Sequence, residues 1–133
     1  MDNLTGDEVE PEEEINEKLD VFFNTFVTKD EEKLSSTTAS NFEFQEYEDD
    51  KKSFTKEEWI EFITSSELWE SEVEKSKFTD RVINITNDSA AVNGYWEQEV
   101  HYYEFFVEEK HHLQVKLIKE DSEWYVSGII ALE

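Results

Sequence analysis

The sequence predicts an α+β fold: N-terminal helices packed on a curved, mostly antiparallel sheet of four to five strands. Two observations predict it. Apolar residues recur at three- and four-residue steps in the first half of the chain, and from about residue 75 the period changes to two. Ten Phe, five Tyr and four Trp among 133 residues supply enough large apolar area for one core, and that length fits one domain.

The elements follow in order. Residues 1–10 read as an acidic N-terminal tail, and 11–133 as a single domain. Pro11 suits a first helical turn, and Glu12, Glu13 and Glu14 complement the helix dipole there. Ile15, Leu19, Phe22, Phe23, Phe26 and Val27 then give one broad apolar face, so a helix spans about 11–28. Asp30 is placed to cap a shorter helix running through Leu34. Phe42 and Phe44 alternate with Glu43 and Gln45 as in a short strand, and EDDKK reads as a loop. Thr55 and Glu58 have capping-box spacing, and Phe54 and Trp59 are spaced as a hydrophobic staple, so a second main helix starts near 56. Ser65 or Ser66 can cap a further turn carrying Leu68 and Trp69. Strands are expected near 77–86, 89–107, 111–120 and 123–132, separated by Asn87-Asp88, by Glu108 to Lys110, and by Asp121-Ser122.

Composition excludes several kinds of chemistry. Without cysteine there is no disulfide framework, thiolate metal site or cysteine nucleophile. Thirty-five acids against 12 bases give a net charge of -23, which repels phosphate, so nucleic acid is not an expected partner. No apolar run approaches the roughly 20 residues of a membrane span, and the acidic start lacks the features of a signal peptide. A cytoplasmic, soluble protein is expected. Its acidity serves solubility or attracts a basic protein partner.

The long first helix ending FFNTFVTKD, the helix TKEEWIEFI, the strand run INITNDSAAVNGYW and the ending HLQVKLIKEDSEWYVSGI together resemble the nuclear transport factor 2-like superfamily. That superfamily shares its cystatin-like cone fold with ketosteroid isomerases, polyketide cyclases and scytalone dehydratase. The resemblance covers about 11–132. It implies the cone, an apolar ligand pocket between helices and sheet, and a homodimer, but it leaves activity open. Isomerases of this kind use an aspartate base with a tyrosine and a protonated acid. The apolar face of the first helix carries neither Tyr nor Asp, so those roles do not carry over.

Strand parity names the pocket candidates. Ala90, Val92, Trp96, Val100, Tyr102 and Phe106 fall on one face of the long strand, and Leu113, Val115 and Leu117 on one face of the next. A two-residue turn at Glu109-Lys110 joins these sets, with Gln98 and Glu104 as their polar exceptions. A three-residue connection over Glu108 to Lys110, or a bulge, reverses the parity and turns Glu104 to water. The pocket set is Phe23, Trp59, Trp96, Gln98, Tyr102 and Phe106. Glu104, desolvated among rings, is the candidate general acid or base.

Neither a metal nor a cofactor is expected. His111 and His112 are adjacent on a strand and point to opposite faces, and EYEDD lacks the spacing and glycine of a calcium loop. His101 reads as an exposed or interface residue. Tyr95, His101, Tyr103, Phe105, Tyr125 and Ile129 give the other sheet face more aromatic area than a solvated surface needs, so they form the expected dimer interface. The leading functional reading is a non-catalytic binding or assembly module holding a small apolar ligand or a protein partner. The alternative is an isomerase, dehydratase or cyclase using Glu104 as proton shuttle.

Overall fold

The computed structural model describes residues 10–132. The acidic tail, apart from Glu10, lies outside the described residues, as does Glu133. Helix α1 (Pro11–Thr28) is followed by α2 (Glu31–Thr37), β1 (Thr38–Gln45), β2 (Lys52–Thr55), α3 (Lys56–Thr64) and α4 (Glu67–Glu70). Strands β3 (Glu72–Thr86), β4 (Ser89–Tyr102), β5 (Phe105–Glu120) and β6 (Glu123–Ala131) complete the chain. The sheet has six strands in the order β2-β1-β6-β5-β4-β3, one more than the upper expectation of five. The added strand is β2, which the polar sequence around EDDKK conceals. All neighbours pair antiparallel except β1 and β6.

The helices begin where their caps place them. Asp30 accepts a hydrogen bond from the Lys33 amide, Ser66 accepts one from Trp69, and Thr55 with Glu58 closes both halves of a capping box. Helix α1 ends at Lys29, whose left-handed backbone lets its amide donate to the Thr25 carbonyl at 2.7 Å. Among the described residues no helix is long and apolar enough to cross a membrane.

Ile15, Leu19, Phe22, Phe23 and Phe26 of α1 are buried against Val92, Val115, Leu117, Trp124 and Val126 on the inner sheet face. Phe23 stacks on Phe78 with centroids 5.0 Å apart, and Phe42 stacks on Trp59 at 3.8 Å. A buried relay fixes this contact. Ser76 Oγ donates to the Phe23 carbonyl at 2.6 Å and accepts from Trp96 Nε1 at 2.8 Å, linking α1, β3 and β4. The sheet edges are protected. Strand β2 is short, while β3 shifts register between Val73 and Lys75 and again between Thr79 and Val82, with Asp80 at φ 54° in the second bulge.

Turn chemistry explains where the strands reverse. Asn87 at φ 55°, and Asp121 with Ser122 at 50° and 69°, adopt the left-handed conformations that tight hairpins require. The third hairpin departs from expectation. Strand β4 ends at Tyr102 and turns through Tyr103 and Glu104, so Tyr102 pairs with Phe105 and Glu108 to Lys110 lie within β5. Tyr103 takes φ 57° there, a conformation that bulky side chains seldom adopt.

Gly94 sits where the sheet is most closely packed. A Cβ at this position would lie 2.7 Å from the Thr79 carbonyl oxygen and 2.9 Å from the Phe78 ring. Gly94→Ala is therefore expected to destabilise the fold by about 1–3 kcal/mol, read as a lower urea midpoint. An unchanged midpoint would contradict the close approach.

Candidate functional site

The cone is filled at one end and hollow at the other. Ile15, Leu19, Phe42, Val92 and Trp124 close the filled end. At the other end a cavity of about 520 Å³ opens between helices and sheet. One wall is Phe44 of β1 with Trp59 and Phe62 of α3, whose rings pack on one another at 5.8–6.4 Å. The facing wall is Phe26 and Trp96, 5.0 Å apart, with Leu68 beside them. Leu113, Ile129 and Ala131 form an aliphatic floor, and Glu46, Tyr47 and Ser66 also line the cavity.

Two polar groups come from the sheet itself. Gln98 is only 4% exposed and lies on the inner face opposite Glu109. Among the described residues the buried side-chain polar atoms without a partner are Trp59 Nε1, in the cavity wall, and Trp124 Nε1; the Gln98 amide is not one of them and opens to the cavity. His111, opposite Trp96, also lines the cavity, with Nε2 3.2 Å from Glu109 Oε1. A polar side chain that opens to an apolar cavity is useful to a ligand that can pair with it. A depression of similar volume, about 540 Å³, lies between α1 and β3. Its arginine is already engaged, pairing with Asp20 at 2.6 Å and with Asn16 Oδ1 at 2.8 Å, while Lys33 and Lys77 make the rest of its lining strongly polar. The hollow end of the cone is the better candidate.

No protein-family model matches the sequence, and no curated protein sequence matches it. Solved structures do match in three dimensions. An NTF2-like protein from Cytophaga hutchinsonii superposes with a TM-score of 0.75 at 17% identity, over 93% of this chain and 98% of that one. An NTF2-like protein with a cystatin-like fold from Novosphingobium aromaticivorans gives 0.74 at 11% identity, over 91% and 80% of the two chains. A candidate dehydratase of the NTF2-like family from Streptomyces avermitilis gives 0.75 at 15%, over 90% and 93%. The chain has the nuclear transport factor 2-like fold. At these identities the likeness carries architecture and not activity.

Within this nuclear transport factor 2-like cone, Trp59, Trp96 and Gln98 line the cavity and the other sequence candidates do not. Phe23 is packed behind Trp96 against Phe78. Tyr102 lies on the inner face beyond Gln98; burial, then the charges of Glu109 and Glu67, raise its pKa above the ordinary phenol range. Phe106 belongs to the outer face, where it meets His101 at 4.8 Å. Glu104 is exposed in the hairpin turn, outside the cavity, because the chain reverses there. The catalytic role expected of it is therefore withdrawn.

The expected interface also divides. Tyr95 stacks on His112 at 4.7 Å on the outer face, and Tyr125 lies on the same face. Tyr103 is 91% exposed at the hairpin tip, and Phe105 shares the inner face with Tyr102. Ile129 is buried on the inner face and lines the cavity. The register shift opposite Lys116 and Leu117 leaves Ser127 as an extra residue in β6 and reverses the faces after it.

Sequence reasoning missed Phe44, Glu46, Tyr47 and Phe62 because their meeting is purely tertiary. Phe62 is nevertheless on the apolar face of α3, and that signal was available. Gln98→Leu replaces an amide that opens to the cavity and should leave stability within about 1 kcal/mol of the wild-type value in urea unfolding. Destabilisation beyond that would mean that the amide is satisfied in the fold.

Proposed function

We propose that this protein is a binding module that holds a small, largely apolar ligand in the hollow end of its cone. The observation that carries this reading is a cavity walled by aromatic rings, with the Gln98 amide among the few polar groups that line it. Aromatic and aliphatic walls supply affinity, while one or two placed polar groups fix orientation. Glu104 does not support proton-transfer chemistry in this cavity, since a general acid or base must reach the reacting atom.

A neutral fluorescent probe, N-phenyl-1-naphthylamine, tests the pocket directly. Saturable binding at one site per chain, with quenching of tryptophan emission, is the expected result. Ala131→Phe fills the floor and should weaken that binding about tenfold or more by displacing the probe. Binding indifferent to this substitution would reject the cavity as the site.

The module is further proposed to be a homodimer through the outer sheet face. Tyr95, His112, His101, Phe106 and Tyr125 support this by collecting rings on one surface, although Lys75, Glu97 and Lys110 interrupt it with charge. Light scattering at micromolar concentration should give twice the chain mass, increasingly so as salt screens the subunit charge. A monomer mass at all salt concentrations would reject the dimer.

A further inference from the structure

We infer that the cavity selects an organic cation with an apolar body, such as a quaternary ammonium or amine carried on a hydrocarbon or aromatic group, over neutral and anionic molecules of the same shape. The inference rests on the binding-module reading and adds the ligand's charge.

Three features of the hollow end converge on it. The walls present aromatic faces, and their outermost members, Phe62 and Tyr47, are about half exposed at the mouth. Ring faces carry negative electrostatic potential and attract ammonium groups, most strongly where water is partly excluded. The charged groups around the mouth are carboxylates. Glu46 lines the cavity, Glu109 contacts His111, and Glu67 and Glu109 both act on Tyr102, four residues beyond Gln98 on the same face. The third feature is the missing counter-charge. No Lys or Arg lines the cavity among the described residues. The ammonium of Lys29 is engaged behind Leu68, donating to its carbonyl at 3.3 Å and lying over the Trp69 ring at 5.7 Å. A carboxylate or phosphate entering here would meet negative charge at the mouth, with no Lys or Arg inside to offset its dehydration and with the one lining imidazole, His111, already engaged by Glu109 at 3.2 Å.

These features assign positions to the parts of the ligand. Its apolar body occupies the floor of Leu113, Ile129 and Ala131, with Gln98 available to any polar substituent. Its cationic head remains at the mouth among Phe62, Tyr47 and Glu46. A head left partly in water avoids most of the cost of burying a charge, and its attraction to exposed carboxylates is weakened by salt.

The test is displacement of N-phenyl-1-naphthylamine by three probes of matched shape: benzyltrimethylammonium, its uncharged carbon isostere neopentylbenzene, and phenylacetate. The cation should displace the dye at about one tenth of the concentration that the neutral isostere needs, and phenylacetate should not compete. Glu46→Gln, and separately 0.5 M sodium chloride, should each weaken the cation by about threefold relative to neopentylbenzene measured under the same condition. Equal or stronger displacement by neopentylbenzene, or competition by phenylacetate, overturns the charge preference and leaves the binding-module reading intact. Failure of the dye itself to bind overturns that underlying reading.

Discussion

The docking of α1 onto the sheet depends on one buried hydroxyl. Ser76 is 5% exposed, and a hydroxyl in such a place is tolerable only when its hydrogen bonds are made. It gives its proton to the Phe23 carbonyl and accepts the Trp96 indole proton, so helix, edge strand and neighbouring strand are held at one point. The aromatic row of α1 packs around that point. Phe23 and Phe26 both lie against Trp96, and Phe26 reaches Trp69 at 5.7 Å. The cavity wall is thus an extension of the core, with the orientation of Trp96 fixed by the contact that positions α1.

The same arrangement accounts for a cone hollow at only one end. Where α1 runs over Val92, Val115 and Leu117, its Leu and Phe side chains reach the sheet and exclude space. Beyond Phe26 the helix is nearly finished, capped by the Lys29 amide, and the roof passes to the shorter α3 and α4. Short helices joined through capping serines cannot cover the sheet as closely as a continuous helix. The sheet residues beneath them, Gln98 and His111, are correspondingly polar. A pocket of this kind is sustained by the stability of the filled end, because an amide that opens to the cavity and half-exposed rings contribute little of their own.

Helix positions were legible in the sequence because each had local chemistry to announce it: Pro11, Asp30, the Thr55 to Glu58 box and Ser66 all mark real helix starts. Two of the three hairpins that join β3 to β6 were legible for the same reason, since Asn87-Asp88 and Asp121-Ser122 are residues that favour turns. The third turns on Tyr103-Glu104, where no residue advertises a turn and the alternation continues through it. Reading β4 five residues too far put Phe106 on the wrong face and made a pocket acid of Glu104. Ile129 was misplaced by a different mechanism. Its strand was correctly located, but the extra residue at Ser127 is a property of the pairing with β5 and cannot be read from β6 alone. Fold class survives such errors because it depends on the order of elements. Site residues do not, because one step of parity exchanges inside for outside.

Net charge illustrates the same division between global and local properties. A charge of -23 favours solubility and draws cations to the surface in dilute buffer, but at physiological salt it acts over only about 8 Å. Most of the acids are then too distant to influence a ligand in the cone. Several are also locally compensated: Glu97 is held by the Thr79 hydroxyl and then by Lys75 at 3.1 Å, which keep its carboxyl below the usual range, and Asp20 is held by Arg81. Glu46 differs in position and not in kind. It stands at a low-dielectric opening without an ion-pair partner among the described residues, where a single charge is screened less than its neighbours on the open surface. The selectivity of the cone is therefore set by a few groups at its mouth and by the rings behind them. Neutralising distant acids would leave it unchanged.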